Sequence, residues 1–293
     1  MNARPDNGRH WLFPFAVLIA AIVTCVLILW AGPQLAGRVI SALSVGEASS
    51  ATTVETVASI VIFGMLLVAG VGGGALSGVN AVRLGPSAGL RLLQGGGIGL
   101  VGFLVATALA GIAGVLHRAP GGIGAGMFLW GTALIVLQAG SEEVFFRGWL
   151  QPILVKAWGV AGIPTTAIAF AALHLIGGAS SVVSLLNLFL GGLLFGLLAA
   201  RYGGIAAAVA AHFAWNWAEQ LLLGVFPNPG NGSFGSILNF DLVGSIWWGG
   251  SGEGLNASVA MTFALAILLA PLLIVPARDS QRPGPYRSGR APA

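Results

Sequence analysis

The chain has 293 residues, 56% hydrophobic and only 8% charged. Soluble domains carry roughly 25% charged residues, so an ordinary water-facing surface is excluded and an integral membrane protein is indicated. The net charge of +4 arises from 13 bases against 9 acids; the bases lie in tails and short loops rather than along a groove, which argues against nucleic-acid binding.

Apolar runs of about 20 residues, each able to cross a hydrocarbon layer about 30 Å thick, recur along the chain. Lipid offers backbone groups no partner, so these runs are expected to be helices. In chain order they are Trp11 to Ala31, Glu55 to Ala81, Leu92 to Leu116, Gly124 to Trp149, Val160 to Ile176, Ser181 to Ala200, Ile205 to Gly224 and Asn256 to Val275. The expected fold is an all-α polytopic membrane protein of about eight transmembrane helices.

Cys25 is the single cysteine and lies in the first run, so neither an intrachain disulfide nor a thiolate metal cluster is available. That run follows a basic tail, as a signal peptide's does, but it is long and ends without a clear A-x-A site, so it reads as a retained span. Glycine clusters such as Gly72 to Gly74 and Gly95 to Gly97 suit close helix packing, as do Gly192 and Gly196. Gly70, Gly72 and Ala75 loosely fit a dinucleotide fingerprint but lie within an apolar span rather than after a strand.

Orientation follows from positive charge retained on the cytoplasmic side. Arg4 and Arg9 precede the first span, Arg83, Arg91, Lys156 and Arg201 flank the even-numbered connections, and Arg278, Arg282, Arg287 and Arg290 follow the last span. Val225 to Leu255 contains Asp241 and Glu253 but no Lys or Arg. Both termini are therefore expected in the cytoplasm, with Arg38 and Arg118 as exceptions. The expected organisation is a tail at 1–10, N-terminal helices at 11–125, a core at 126–222, an outer loop and last helix at 223–275, and a disordered basic tail at 276–293.

Ionisable side chains within spans are costly, about 2.5–3.5 kcal/mol on insertion scales, and call for a partner or a task. Glu143 and Arg147, at i, i+4 with the acid first, are in the favourable order for an ion pair. Glu142 faces elsewhere, which leaves one carboxylate neutralised locally and one directed at another helix; interfacial anchoring at a span end is the alternative. His174 stands near a span end. His212 aligns with Asn216 at i+4 and with Glu219 at i+7, either facing a wet cavity or bonding a neighbouring helix. A carboxylate and an imidazole can deprotonate a water, while an imidazole and an amide can stabilise an oxyanion. Together they suit peptide hydrolysis without a serine or cysteine nucleophile.

EEVFFRG at 142–148, FAALH at 170–174 and HFAWN at 212–216 fit EExxxR, FxxxH and HxxxN, each on a hydrophobic helix. In that order they resemble the CAAX protease and bacteriocin-processing (CPBP, or Abi) family of intramembrane proteases, over about residues 126–222. The resemblance implies a glutamate-type endopeptidase of eight helices, CAAX prenyl protease-like. Glu142 is then the general base, His174 helps position the attacking water, His212 and Asn216 form the oxyanion hole, and Glu143 and Arg147 support the site. Glu219 has no counterpart and reads either as a neighbour of the site or, preferably, as a packing residue.

No cofactor is expected. The alternative is a zinc site of Glu142, His174 and His212, although HExxH is absent. A transporter or scaffold that kept the fold is the non-enzymatic alternative, and neither a GxGD context nor a GxSG followed by a distant His is present. The expected partners are a membrane-associated peptide or protein substrate and the bilayer, with the oligomeric state open. The Ala- and Gly-heavy composition and short loops suggest a bacterial plasma membrane. For Glu142 and His174 to meet, the fourth helix must be long or broken, running on through WLQPILVKAW near Pro152. The resulting cavity is expected to open toward the cytoplasm.

Overall fold

The computed structural model describes residues 12–43, 50–176, 178–228 and 232–274. The tails at 1–10 and 276–293, with their bases, lie outside the described residues. The helices are α1 (Leu12–Leu43), α2 (Ala51–Leu76), α3 (Ala88–Ile112), α4 (Ala125–Glu143), α5 (Gln151–Trp158), α6 (Gly162–Leu173), α7 (Val182–Tyr202), α8 (Ala206–Trp217) and α9 (Val259–Ile274). A wide π-helical turn, Val144–Leu150, joins α4 to α5 without a break, and a second, Ala218–Leu223, extends α8.

The polytopic, mostly helical architecture expected from the apolar runs is present. By length and composition five helical stretches qualify to cross a membrane: α1, α2, α3, α7 and the continuous stretch Ala125–Leu173. The predicted fourth and fifth spans both fall within Ala125–Leu173, where Gly159, with φ 61°, separates α5 from α6. The predicted seventh span is interrupted by polar residues such as His212, Asn216 and Glu219, and α9 is an apolar helix of 16 residues.

The first helix runs well beyond the expected Ala31, to Leu43, and carries Pro33 inside it. The fourth is long, as the two halves of the site required. Pro152 stands in the first turn of α5 and has no N–H to give a preceding carbonyl. Just before it the ladder widens, and the Gln151 amide donates to the Phe146 carbonyl five residues back. Such turns recur at functional sites, and every residue from Val144 to Leu150 is buried.

Two apolar clusters flank this wide turn. One gathers α3, α7, α8 and α9 around Phe103, Leu194, Leu198 and Met261. The other gathers α1, α2, α5 and α6 around Phe145, Leu150 and Leu154. The close approach of α3 to α8 depends on Gly95 and Gly99, where a Cβ would fall on the carbonyl oxygens of Ala207 and Ala211 respectively. This small-on-small contact brings backbones together where lipid supplies no hydrophobic drive, and it seats the helix that bears His212. Gly192 and Gly196 likewise take close neighbours, Ala167 at 3.2 Å and the Gln151 side chain at 2.7 Å from a notional Cβ.

Gly99→Val is expected to destabilise the protein by about 1–3 kcal/mol or more through overpacking. Gly96→Val, where an added Cβ meets nothing within 4 Å, serves as the control; melting of the two variants in detergent checks the difference.

The α3–α4 and α8–α9 connections meet in a small three-stranded sheet. Leu116–Arg118 (β1) pairs antiparallel with Phe240–Leu242 (β3), which pairs parallel with Val225–Phe226 (β2). Ser233 donates from its amide and hydroxyl to Glu55 at the start of α2, tying this cap to the bundle.

Candidate active site

Burial of Glu143 and Arg147 makes sense only as a pair. The wide turn brings Arg147 Nη1 to 2.9 Å from Glu143 Oε1, with both side chains fully enclosed. The same Glu143 oxygen accepts from His212 Nδ1 at 2.9 Å, so one carboxylate joins α4 to α8. Arg147 Nη2 donates to the Gly192 carbonyl at 2.9 Å, adding α7. The guanidinium lies 4.7 Å from the Phe170 ring centroid, adding α6, and the His212 ring stacks on Phe195 at 4.7 Å. Four helices therefore converge on one charged cluster. The following Gly148 is required by packing, since a Cβ there would fall on the Ala81 carbonyl oxygen.

Glu142, His174, His212 and Asn216 all border one cavity of about 570 Å³. Glu142 is buried, and its Oε2 stands 3.9 Å from His212 Nε2. That is too long for a hydrogen bond and leaves the two groups facing each other across the cavity.

The ring nitrogens have distinct roles. His174 Nδ1 lies 2.8 Å from the Phe170 carbonyl, an acceptor only, so Nδ1 carries the proton, and in a neutral ring Nε2 is the nitrogen with the lone pair. His212 Nδ1 is engaged by Glu143, which leaves its Nε2 toward Glu142. With Nδ1 donating to Glu143, Nε2 can donate as well only in a doubly protonated ring.

The sequence reading anticipated the Glu143–Arg147 pair but not that His212 shares it. It also passed over other polar residues on the cavity wall: Gln138, Asn187, Asn228, Asn256 and Glu253. Asn187 had a signal, being an amide in an apolar span. Its Nδ2 donates to the carbonyls of Asn256 and Ser258 at 2.9 Å each, and its Oδ1 accepts from Thr262 at 2.7 Å.

The cavity also differs from expectation in where it points. Among the described residues its wall includes Ala179, Asn228, Glu253 and Asn256 but none from the basic connections at 82–87, 156–161 and 201–205. It extends toward the 225–258 loop rather than the basic face. The reason is that His174 stands at the C-terminal end of the short α6, on the loop side. An apolar wall of Ile28, Leu29, Ile62, Phe63 and Leu66, from α1 and α2, lies opposite the polar residues.

Glu253 binds this loop to the start of α7. Its Oε1 accepts from the Ser180 amide at 3.2 Å, the Ser180 hydroxyl at 2.8 Å and the Ser181 amide at 2.9 Å. Desolvation opposes ionisation there, but the hydrogen bonds from Ser180, Ser184 and the 180–181 backbone outweigh it and hold the carboxyl below its usual range. The stabilisation is fully present above the unfolded carboxylate value, about 4.3, and is lost as pH falls below this through the folded value. Hydrogen exchange at the Ser180 and Ser181 amides, corrected for intrinsic rates, is expected to accelerate over that acid window, and to be fast at all pH values in Glu253→Gln.

Among the described residues no group of three or more His, Cys, Asp or Glu side chains is disposed to hold a metal ion. A search of curated proteins finds no match. Residues 124–218, about a third of the chain, match the family model described as Type II CAAX prenyl endopeptidase Rce1-like. That segment spans EEVFFRG, FAALH and HFAWN in order, and over it the chain is similar to the type II CAAX prenyl endopeptidases of the Rce1-like kind.

Proposed function

We propose that this protein is an intramembrane endopeptidase of eight spans with both termini in the cytoplasm, acting in a bacterial plasma membrane without a metal. Glu142 and the lone pair on His174 Nε2 hold and deprotonate a water, which attacks the peptide carbonyl. His212 Nε2–H and the Asn216 amide donate to the oxyanion that forms. The proton taken from water then passes to the departing amine, and the bond breaks to a carboxylic acid and an amine. Glu143 and Arg147 keep His212 in place.

The observation that carries this reading is the meeting of the three motifs on one cavity, with Glu142 lining it outside the Glu143–Arg147 pair. Burial strengthens such donors, because they act without competition from bulk water. The apolar α1–α2 wall suits a peptide that arrives from lipid. A transporter would instead spread acids along a path through several spans. Comparing the proteomes of membranes that carry the parent chain or Glu142→Ala tests the proposal. A precursor that accumulates only with Glu142→Ala is expected; identical peptide termini in the two membranes would favour a scaffold.

A further inference from the structure

His174 is the site residue that ends its helix: α6 stops at Leu173, and His174 is the cap that follows. Phe170 fixes the ring through Nδ1, but the backbone that carries the ring needs its own support. Just beyond it Leu175 and Ile176 are each 53% exposed, so the turn there has little packing to keep it still. Its tie to the next helix is the His174 carbonyl, which accepts from the Ala179 amide at 2.9 Å.

The two residues after Ala179 are held from outside. Glu253 Oε1 accepts from the Ser180 amide, the Ser180 hydroxyl and the Ser181 amide, and Ser184 adds a side-chain hydrogen bond. An ionised acceptor makes such bonds about twice as strong as a neutral one. Glu253 also acts from a fixed platform. Buried Asn187 of α7 donates to the Asn256 and Ser258 carbonyls, and Gly254, with φ 56°, lies so close to Pro227 that a Cβ would fall on its carbonyl oxygen.

We propose that Glu253 is a positioning residue: through Ser180, Ser181 and the Ala179 amide it fixes the backbone of His174, and with it the direction in which Nε2 meets the water. The catalytic consequence rests on the endopeptidase reading, whereas the mechanical link does not. Cleavage then depends on the 251–258 segment staying seated on α7, and a connection outside the matched segment becomes a working part of the site.

The test uses the full chain in proteoliposomes, with Glu253→Gln, which keeps the shape of the side chain and removes its charge. Hydrogen exchange at the Ala179 amide, corrected for intrinsic rates, is expected to quicken about tenfold or more as that local structure opens. Cleavage of fluorescence-quenched apolar peptides is expected to lose about tenfold to 10²-fold in kcat, the upper figure being the cost of a misplacement of about 1 Å, with KM unchanged. Glu55→Gln loosens the other tie of the same connection, at Ser233, and should leave exchange at Ala179 and kcat as in the parent. In a His174→Ala chain, Glu253→Gln should cost nothing further, because residues that act through one another are not additive. Parental exchange at Ala179 in Glu253→Gln, or the same loss of kcat with His174 already removed, overturns the proposal. If the parent cuts none of the peptides, the endopeptidase reading falls, and exchange at Ala179 alone decides whether Glu253 holds His174.

Discussion

Glu142→Gln is expected to slow amide cleavage by purified protein in proteoliposomes by about 10²–10⁴-fold, the usual contribution of a positioned general base. The change keeps size and shape but removes the group that takes the proton. Glu142 makes neither of the hydrogen bonds that tie α4 to α8 and α7, since these belong to Glu143 and Arg147. Melting temperature should therefore stay close to that of the parent. Cleavage at the parental rate, measured by mass spectrometry of the products, would remove Glu142 from the chemistry altogether.

Arg147→Leu should have the largest effect on stability. The substitution leaves Glu143 enclosed with His212 as its remaining donor and releases the Gly192 carbonyl. Removing one partner of a buried ion pair costs about 3–5 kcal/mol, which corresponds to a fall in melting temperature on the order of 5–10 °C for a chain of this size. Thermal unfolding in detergent followed by tryptophan fluorescence reads this directly. Glu143→Leu/Arg147→Leu is expected to recover part of the stability, because no unpaired charge remains. It should stay inactive, because His212 then has nothing to hold its Nδ1. Recovery of activity in that double variant would show that the pair has no positioning role.

Much of the bundle was legible because the bilayer leaves few options. An apolar run that must satisfy its own backbone becomes a helix, and α2, α3, α7 and α9 lie close to where the hydropathy placed them. Even the long fourth rod followed from chemistry, since Glu142 and His174 could not otherwise share a cavity. The wide turns at Val144–Leu150 and Ala218–Leu223 were not legible. The first lies beside Pro152 and the charged cluster, and neither has a local sequence pattern of its own.

Pairwise reading also had limits at the site. The i, i+4 rule revealed Glu143 with Arg147, but a bond from Glu143 to His212, 69 residues away, has no signature in spacing. Glu219, which reads from the sequence either as a neighbour of the site or as a packing residue, is buried and borders the cavity. Its neighbour Asn228 and the loop residues Glu253 and Asn256 reach the cavity only through the folding back of the 225–258 connection. That connection pointed the cavity away from the basic face.

The knot of Glu143, Arg147, His212, Phe170 and Phe195 lies wholly within the matched segment, 124–218. Because each member braces the next, a change to any one is felt by all, and such a unit has little freedom to diversify. Cys25, Ile62, Phe63, Glu219, Glu253 and Met261 also line the cavity but lie outside that segment. Variation in what the cavity admits can therefore enter through α1, α2, α9 and the loop that holds Glu253 without touching that knot.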